Sequence, residues 1–376
     1  MELSDVRKRI DKIDDELLVL LKQRMEAAKD VATIKKEKGI PILNTQRENE
    51  ILDEISENSG EYANYMRIVY ATLMDVSRGL QHKLLSGGEQ LRQKIINAEK
   101  FDFSQKDLKV SCAGVVGAYA DMAATKAFPN AEKKYCSRFE DVFLSVADGS
   151  VDYGIIPIEN SSAGSVHENF DLIMKHQLNI AGAVDLPVEH CLVAKKGTDI
   201  NSVKQVYSHI QGIAQCSEFI EKHKFSAVDY PNTAMAAQMV SESAENDIAA
   251  IASSLAAKEF GLEILERGIQ NNSSNTTRFL ILSKNIFIND DADKVSLIMQ
   301  LPHITGSLYR VLGRFAMCGL NLTKLESRPL GDKNFCYNFY VDFSGNVKNE
   351  DTLDLLCALH DELPLLVFLG NYKEVK

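Results

Sequence analysis

The chain has two groups of residues whose types and spacing suit chemistry. The first is built around S-S-N-T-T-R-F, residues 273–279, small polar side chains set directly before an apolar run, L-I-L-S. Alone, this is a turn with a surface arginine. Three other stretches share its character. In G-I-I-P-I-E-N-S-S-A-G (154–164) an apolar strand ends in Glu159, Asn160 and Ser161. Hydroxyls and backbone amides clustered there form a nest for an anion. Y-S-H-I-Q-G-I-A-Q-C (207–216) adds His209 and Gln215. Y-P-N-T-A-M-A-A (230–237) puts Asn232 and Thr233 at a helix N-terminus, whose free amides favour anions. Together they suit the binding of an anion. Singly, each is an ordinary turn or cap.

The second group is basic. Leu3, Val6, Ile10, Ile13, Leu17, Leu20, Arg24, Ala27, Val31 and Ile34 recur at spacings of three and four, which predicts one long amphipathic helix. Arg24 occupies a place in its apolar stripe, and a buried cation there needs an anion. Lys35 faces almost the same way, about 16 Å further along. The two can close on one small anion. Arg7 lies about 42 Å from Lys35 at 1.5 Å per residue, so it reaches the same pocket only from a second chain. The competing reading is a coiled-coil dimerisation helix with solvated basic residues.

The elements that position these residues fall into three styles. Residues 1–86 are helical in pattern, with further helices at 46–57 and 62–84, and 87–107 form a polar linker. Residues 108–284 alternate short apolar strands with helical patterns, an α/β unit. Residues 292–374 read βαββαβ, the ferredoxin-like order. The chain has 376 residues, 45% hydrophobic and 25% charged, as in a soluble globular protein of two or three domains. A net charge of −11 argues against nucleic acid or an anionic membrane as a partner. Seven scattered cysteines with no C-x-x-C pair read as reduced thiols, with no metal site. The charged N-terminus fits no export signal, and the expected location is cytoplasmic.

The pattern V-R-K-R-I-D-K-I-D-D-E-L-L-V-L-L-K-Q-R-M from Val6, with R-E at 47–48 and S-R-G-L-Q at 77–81, resembles the all-helical chorismate mutases. The resemblance implies a catalytic set of Arg7, Arg24, Lys35, Arg47, Glu48, Ser77 and Gln81. It places Asn44 against the substrate, where many relatives carry an aspartate. It also implies an intertwined dimer in which Arg7 crosses to the other protomer. A Claisen rearrangement needs no nucleophile. It needs two carboxylates clamped and donors on the ether oxygen, where charge develops. Arg7 and Arg24 suit the carboxylates, Lys35 and Gln81 the ether oxygen, Arg47 and Glu48 the ring-hydroxyl region. All of these precede the linker, so the helical segment is expected to suffice for this step.

The four polar stretches, with G-V-V-G-A-Y-A-D-M-A-A (114–124), resemble prephenate dehydratase over 108–284. Val115 stands where proline is common, Ala120 and Asp121 replace a usual polar pair, and Ile210 replaces a proline. The resemblance implies a two-lobed, periplasmic-binding-protein-like fold with its site in the cleft. Thr277 becomes the catalytic threonine, with Glu159 and His209 as proton sources behind it. Asn160, Ser161, Gln215, Asn232 and Thr233 hold the substrate. Arg278 either binds its carboxylate or braces the loop.

H-I-T-G-S-L (303–308) and L-E-S-R-P-L (325–330) resemble the amino-acid-binding ACT domain of these enzymes, although T-G-S-L replaces the usual G-A-L-V. That implies phenylalanine bound at a subunit interface by His303, Gly306, Ser307, Leu308, Glu326, Ser327 and Arg328. The expectation for the whole chain is a multidomain, cofactor-free, homo-oligomeric enzyme. It would convert chorismate to prephenate and prephenate to phenylpyruvate, under feedback from phenylalanine. Two alternatives remain: an arogenate dehydratase, or a non-catalytic sensor of aromatic acids.

Overall fold

The computed structural model describes residues 2–85, 87–102, 107–330 and 337–375. Ser86, the expected end of the helical domain, lies outside the described residues. The first segment is helical: α1 (Leu3–Lys38), α2 (Thr45–Asn58), α3 (Ala63–Leu85) and α4 (Glu89–Ile96). The middle segment begins β1 (Lys109–Ala113), α5 (Tyr119–Ala127), β2 (Glu132–Cys136), α6 (Phe139–Ala147), β3 (Tyr153–Asn160), β4 (Gly164–Ser165), α7 (His167–His176) and β5 (Asn179–Pro187). It continues β6 (Cys191–Ala194), β7 (Gln205–Ser208), α8 (Ile210–Gln215), α9 (Ser217–His223), β8 (Ser226–Asp229) and α10 (Thr233–Glu242). It closes with β9 (Ile248–Ala252), α11 (Ser254–Glu259), β10 (Glu263–Arg267) and β11 (Thr276–Ser283). The last segment is β12 (Lys294–Gln300), α12 (Ser307–Met317), β13 (Asn321–Pro329), β14 (Tyr337–Ser344), α13 (Glu350–Glu362) and β15 (Leu365–Tyr372), then a short β16 (Glu374–Val375).

These segments form two compact units, and the division does not follow the three sequence styles. Residues 2–97 associate with 297–367, and residues 98–296 with 368–375.

In the first unit, α1 starts with a capping box between Glu2 and Asp5 and ends at Gly39, whose φ of 63° needs no Cβ. Of its 36 residues only Ala28 and Ala32 are buried. The stripe residues Leu3, Ile10, Ile13, Leu17, Leu20, Val31 and Ile34 are all exposed. Among the described residues, nothing covers this apolar stripe. The segment expected as linker contains α4, which buries Leu91 and Ile95 and packs on α13. Gly88 makes this possible: its φ is 69°, and a Cβ there would lie 2.5 Å from that of Cys357. Helix α3 packs on both α12 and α13. The last segment's sheet has the order β13-β14-β12-β15, with β13 at its edge, as the βαββαβ pattern requires.

The second unit has two sheets. One runs β16-β5-β11-β3-β1-β2, with β4 on β3. The other runs β10-β6-β9-β7-β8. Strands β6 and β9 are buried at every position, as strands covered on both faces must be. The chain passes from one sheet to the other between β5 and β6 and returns between β10 and β11. Three of the polar stretches meet at these crossings through Asn160, Gln215 and Asn275.

Candidate active sites

Strand β11 lies between β3 and β5, and both pairings are antiparallel. The register sets Thr277 opposite Asn160, where both strands end. Asn160 Nδ2 donates to Thr277 Oγ1 at 2.8 Å and to Asn275 Oδ1 at 2.8 Å. Its Oδ1 accepts from the backbone N–H of Ser162 and of Ala163, at 3.0 and 2.8 Å, and from Gln215 Nε2 at 3.3 Å. Two backbone donors therefore fix which way the amide points. Thr277 Oγ1 accepts, so its own proton is not used on Asn160. Gln215 Oε1 accepts from Asn275 Nδ2 at 3.0 Å and lies 2.8 Å from His190 Nε2. His190 Nδ1 lies 3.1 Å from the Tyr119 hydroxyl, which also donates to Glu189 O. Burial lowers the His190 pKa, against the pull of Gln215, and keeps the ring neutral. Burial raises the Tyr119 pKa well above its usual value, so the phenol stays protonated. The network is neutral throughout.

The structure thus joins Thr277, Asn160 and Gln215, with Ser161 at the edge: its Oγ accepts from Thr276 N at 2.9 Å. Sequence reading missed Asn275, His190 and Tyr119. Asn275 lay inside the hydroxyl-rich run and could have been found there. His190 and Tyr119 had no spacing signal.

Several expectations change. The amides after β3 do not form a free anion nest. Those of Ser162 and Ala163 bond to Asn160, and that of Ser161 bonds to Thr276 O at 2.8 Å. Glu159 pairs with Arg278, one step from the Asn160–Thr277 pair. Strand alternation therefore places Glu159 on the sheet face opposite Thr277, away from the position of a proton source behind it. His209 caps α8, its Nδ1 accepting from Gln211 N at 3.3 Å, and no hydrogen bond links it to Thr277 among the described residues. Arg278 is committed to carboxylates: it binds Asp185 through two nitrogens at 2.8 and 2.7 Å and Glu374 at 2.7 Å. That is a brace across three strands. Asn232 caps α10 through Ala234 N at 2.8 Å, with Thr233 as the first helical residue. Its amide lies against Gly114, where a Cβ would come within 2.9 Å of Nδ2. Asp121 is buried and holds Gly117 N, Lys133 and the Tyr135 hydroxyl, a structural task.

In the helical unit, Arg24 of α1 reaches α3, donating to Ser77 Oγ and to Leu73 O at 3.1 Å. Ser77 and Gln81 are buried one turn apart on α3. Gln81 Oε1 has no partner among the described residues. Lys35 donates to Ile42 O, which folds the chain after α1 back toward it. Burial lowers the Lys35 pKa, Glu48 opposes this, and Arg78 adds to it. Glu48 of α2 accepts from Arg78 of α3. Arg24, Lys35, Glu48, Ser77 and Gln81 thus line the seam of three helices. Three expected members stand apart. Arg7 is exposed near the start of α1. Arg47 is exposed and pairs with Glu50 at 3.3 Å. Asn44 caps α2, accepting from Arg47 N at 3.0 Å. Arg78 and Asp75, which the sequence reading passed over, are buried here.

In the last segment, Gly306 has φ 83° and starts α12; Ser307 Oγ donates to Ile304 O at 3.0 Å, and Leu308 is half-buried. His303 is exposed. Helix α12 packs on β13, where Glu326 and Arg328 share one face and Ser327 the other. Among the described residues no cluster of three His, Cys, Asp or Glu could hold a metal ion, and no helix is long and apolar enough to cross a membrane.

Two family models match the chain: chorismate mutase type II over residues 6–82, and prephenate dehydratase over residues 110–286. Arogenate dehydratase/prephenate dehydratase 2, chloroplastic, of Arabidopsis thaliana is 38% identical over 294 residues, 75% of each chain. The bifunctional chorismate mutase/prephenate dehydratase of Aquifex aeolicus (strain VF5) is 32% identical over 374 residues, 99% of this chain and 98% of that one. Among solved structures, the prephenate dehydratase from Arthrobacter aurescens in complex with L-Phe is 30% identical with a TM-score of 0.67, over 71% of this chain and 90% of that one. The two seams of polar residues therefore sit in two enzyme domains joined in a known order, and the chain belongs to the bifunctional chorismate mutase/prephenate dehydratase family.

Proposed function

We propose that this chain converts chorismate to prephenate in its helical segment and prephenate to phenylpyruvate in its α/β segment. The observation that carries the second step is the bond from Asn160 Nδ2 to Thr277 Oγ1. An oxygen that accepts from Asn160 keeps its own proton for the substrate. In the reaction the ring–carboxylate bond breaks and CO2 departs, leaving its electron pair to the ring. The bond to the ring hydroxyl breaks in concert, and aromatisation drives both. The departing oxygen leaves as water if a proton meets it. Thr277 supplies a positioned hydrogen bond there and recovers its proton from solvent. Ser161, Asn232 and Thr233 hold the substrate carboxylates.

The mutase step draws on Arg24, Lys35, Glu48, Ser77 and Gln81, with Arg7 and Arg47 completing the set. Arg24 and Lys35 are half-buried cations on one helix, and the dianionic substrate supplies carboxylates for them to hold. The uncovered stripe of α1 supports a homodimer in which a second α1 lies on the first and delivers Arg7. Catalysis here is conformational clamping and stabilisation of the ether oxygen.

Residues 292–374 serve as an ACT regulatory domain that binds phenylalanine. His303, Gly306, Ser307 and Leu308 at the start of α12, with Glu326, Ser327 and Arg328 on β13, form its contacts. The chain acts in the cytoplasm. Arogenate is the competing dehydratase substrate, favoured by the plant relatives. Following phenylpyruvate from prephenate, and phenylalanine from arogenate, in parallel decides between them. A chain that turns over neither is a sensor. Calorimetric titration of phenylalanine, repeated with Glu326→Ala, tests the regulatory site: unchanged affinity removes it.

A further inference from the structure

Within the first compact unit, four helices from distant parts of the chain share one set of charges. Arg78 of α3 binds Glu48 of α2, Asp75 of α3 and, through Nε at 3.2 Å, Glu362 at the end of α13. Arg314 of α12 and His82 of α3 each reach that same Glu362 at 2.7 Å. One turn earlier on α12, Arg310 Nη2 lies 3.2 Å from Glu48 Oε2 and 2.8 Å from Asp75 Oδ1, while its Nε lies 3.0 Å from Asp75 Oδ2. The Glu48 side chain is 14% exposed and that of Asp75 5%.

The geometry is particular. Glu48 gives one oxygen to Arg78 and the other to Arg310. A carboxylate held at both oxygens from two sides has its rotamer set. Asp75 grips Arg310 through both its oxygens, so the planar guanidinium is itself oriented before it meets Glu48. A single cation would leave Glu48 free to swing onto Arg78. Arg310 belongs to the C-terminal βαββαβ segment, whereas Glu48 is one of the residues lining the candidate mutase seam.

We propose that Arg310 is a positioning residue for the mutase step, holding Glu48 in the orientation in which it meets the substrate. The mutase site is then incomplete without the C-terminal segment, contrary to the expectation that residues before the linker suffice. The inference rests on the mutase reading and on Glu48 facing the substrate. The alternative is that Arg310 only ties α12 to the helical bundle.

The test is a double-mutant cycle in the full-length chain. Mutase kcat and KM are measured for wild type, Arg310→Ala, Glu48→Gln and the double variant, with phenylpyruvate formation from prephenate as an internal control. Arg310→Ala should lower mutase kcat/KM about tenfold, the scale of one charge-assisted hydrogen bond. In the Glu48→Gln background the same change should lower it less than about twofold, because the group it positions is already altered. Arg310→Lys keeps the charge but not the fork, so it should retain the melting temperature and still lose several-fold in mutase kcat. Equal losses in both backgrounds, or no loss in either, overturn the proposal. If Arg310→Ala does not fold, Arg310→Gln carries the same cycle. A wild-type mutase rate in Glu48→Gln would instead sink the assignment of Glu48, and the inference with it.

Discussion

The two candidate sites are built by opposite means. In the α/β unit, Tyr119, Asn160, His190, Gln215, Asn275 and Thr277 form a neutral chain of amides, hydroxyls and one uncharged imidazole. In the helical unit, Glu48, Asp75, Arg78 and Arg310 are charged and mostly withdrawn from solvent, with Lys35 half-buried beside them. The contrast follows the chemistry. A dehydration must meet one departing oxygen with one hydrogen bond, and direction matters more than field. A rearrangement of a dianion moves no proton and needs cations held in place. Buried cations in turn need carboxylates to compensate them, and those carboxylates need holding. The neutral site closes within one unit. The charged site recruits a residue from the far end of the chain.

The sharpest break between the two is expected at Thr277. Thr277→Ala should lower the dehydratase rate by roughly two to four powers of ten, with mutase rate and melting temperature unchanged. Thr277→Ser should retain much more. Near-normal phenylpyruvate formation by the alanine variant would remove Thr277 from the mechanism. On the charged side, Lys35→Ala and Arg7→Ala should each lower mutase activity by about two to three powers of ten. A one-to-one mixture of the two inactive chains should recover about a quarter of wild-type activity, since half the dimers would hold one intact pocket. If heterodimers form and stay inactive, Arg7 does not cross.

Acid should separate the units next. Burial alone would raise the Glu362 pKa, but the bond from His82 and the charges of Arg314 and Arg78 hold it at about 2 against an ordinary 4.5. A depressed carboxylate stabilises the fold fully above its unfolded pKa and loses that contribution as pH falls through its folded one. The helical unit should therefore weaken between pH 4.5 and 2, by at most about 3 kcal/mol. Acid unfolding followed by circular dichroism should show that dependence shrinking in Glu362→Gln. An unchanged acid profile would remove Glu362 as its source. The smallest effect is expected at Arg278. As a brace on Asp185 and Glu374, Arg278→Lys should lower the melting temperature by a few degrees and leave the KM for prephenate within about twofold. A large rise in KM with an unchanged melting temperature would make Arg278 a substrate ligand instead.

What was legible in the chain differs between the sites for the same reason that they differ in build. Asn160 and Thr277 could be found because each ends a strand, and a strand end shows itself within a few residues. The same local view misread the turn after Asn160 as an open nest. An Asn side chain that bonds to the amides two and three residues on satisfies them itself. It also overvalued His209, which serves as a helix cap. Arg24 and Lys35 were visible as cations out of place on an apolar stripe. Nothing in the pattern of α12 distinguished Arg310 from any other arginine on an amphipathic helix.

By itself, then, the sequence determined the helices up to α3, the βαββαβ succession of the last segment, the Asn232 cap, the apolar stripe of α1 and the small polar residues at strand ends. Each depends on side chains a few positions apart, through helix and strand periods or a local hydrogen bond. Only the tertiary structure decided that Glu159 lies on the wrong face for Thr277, that His190 stands behind Gln215, and that α12 reaches Glu48. Glu48 and Arg310 are 262 residues apart, and they meet only once α2, α3 and α12 are packed and most of the water around them is displaced.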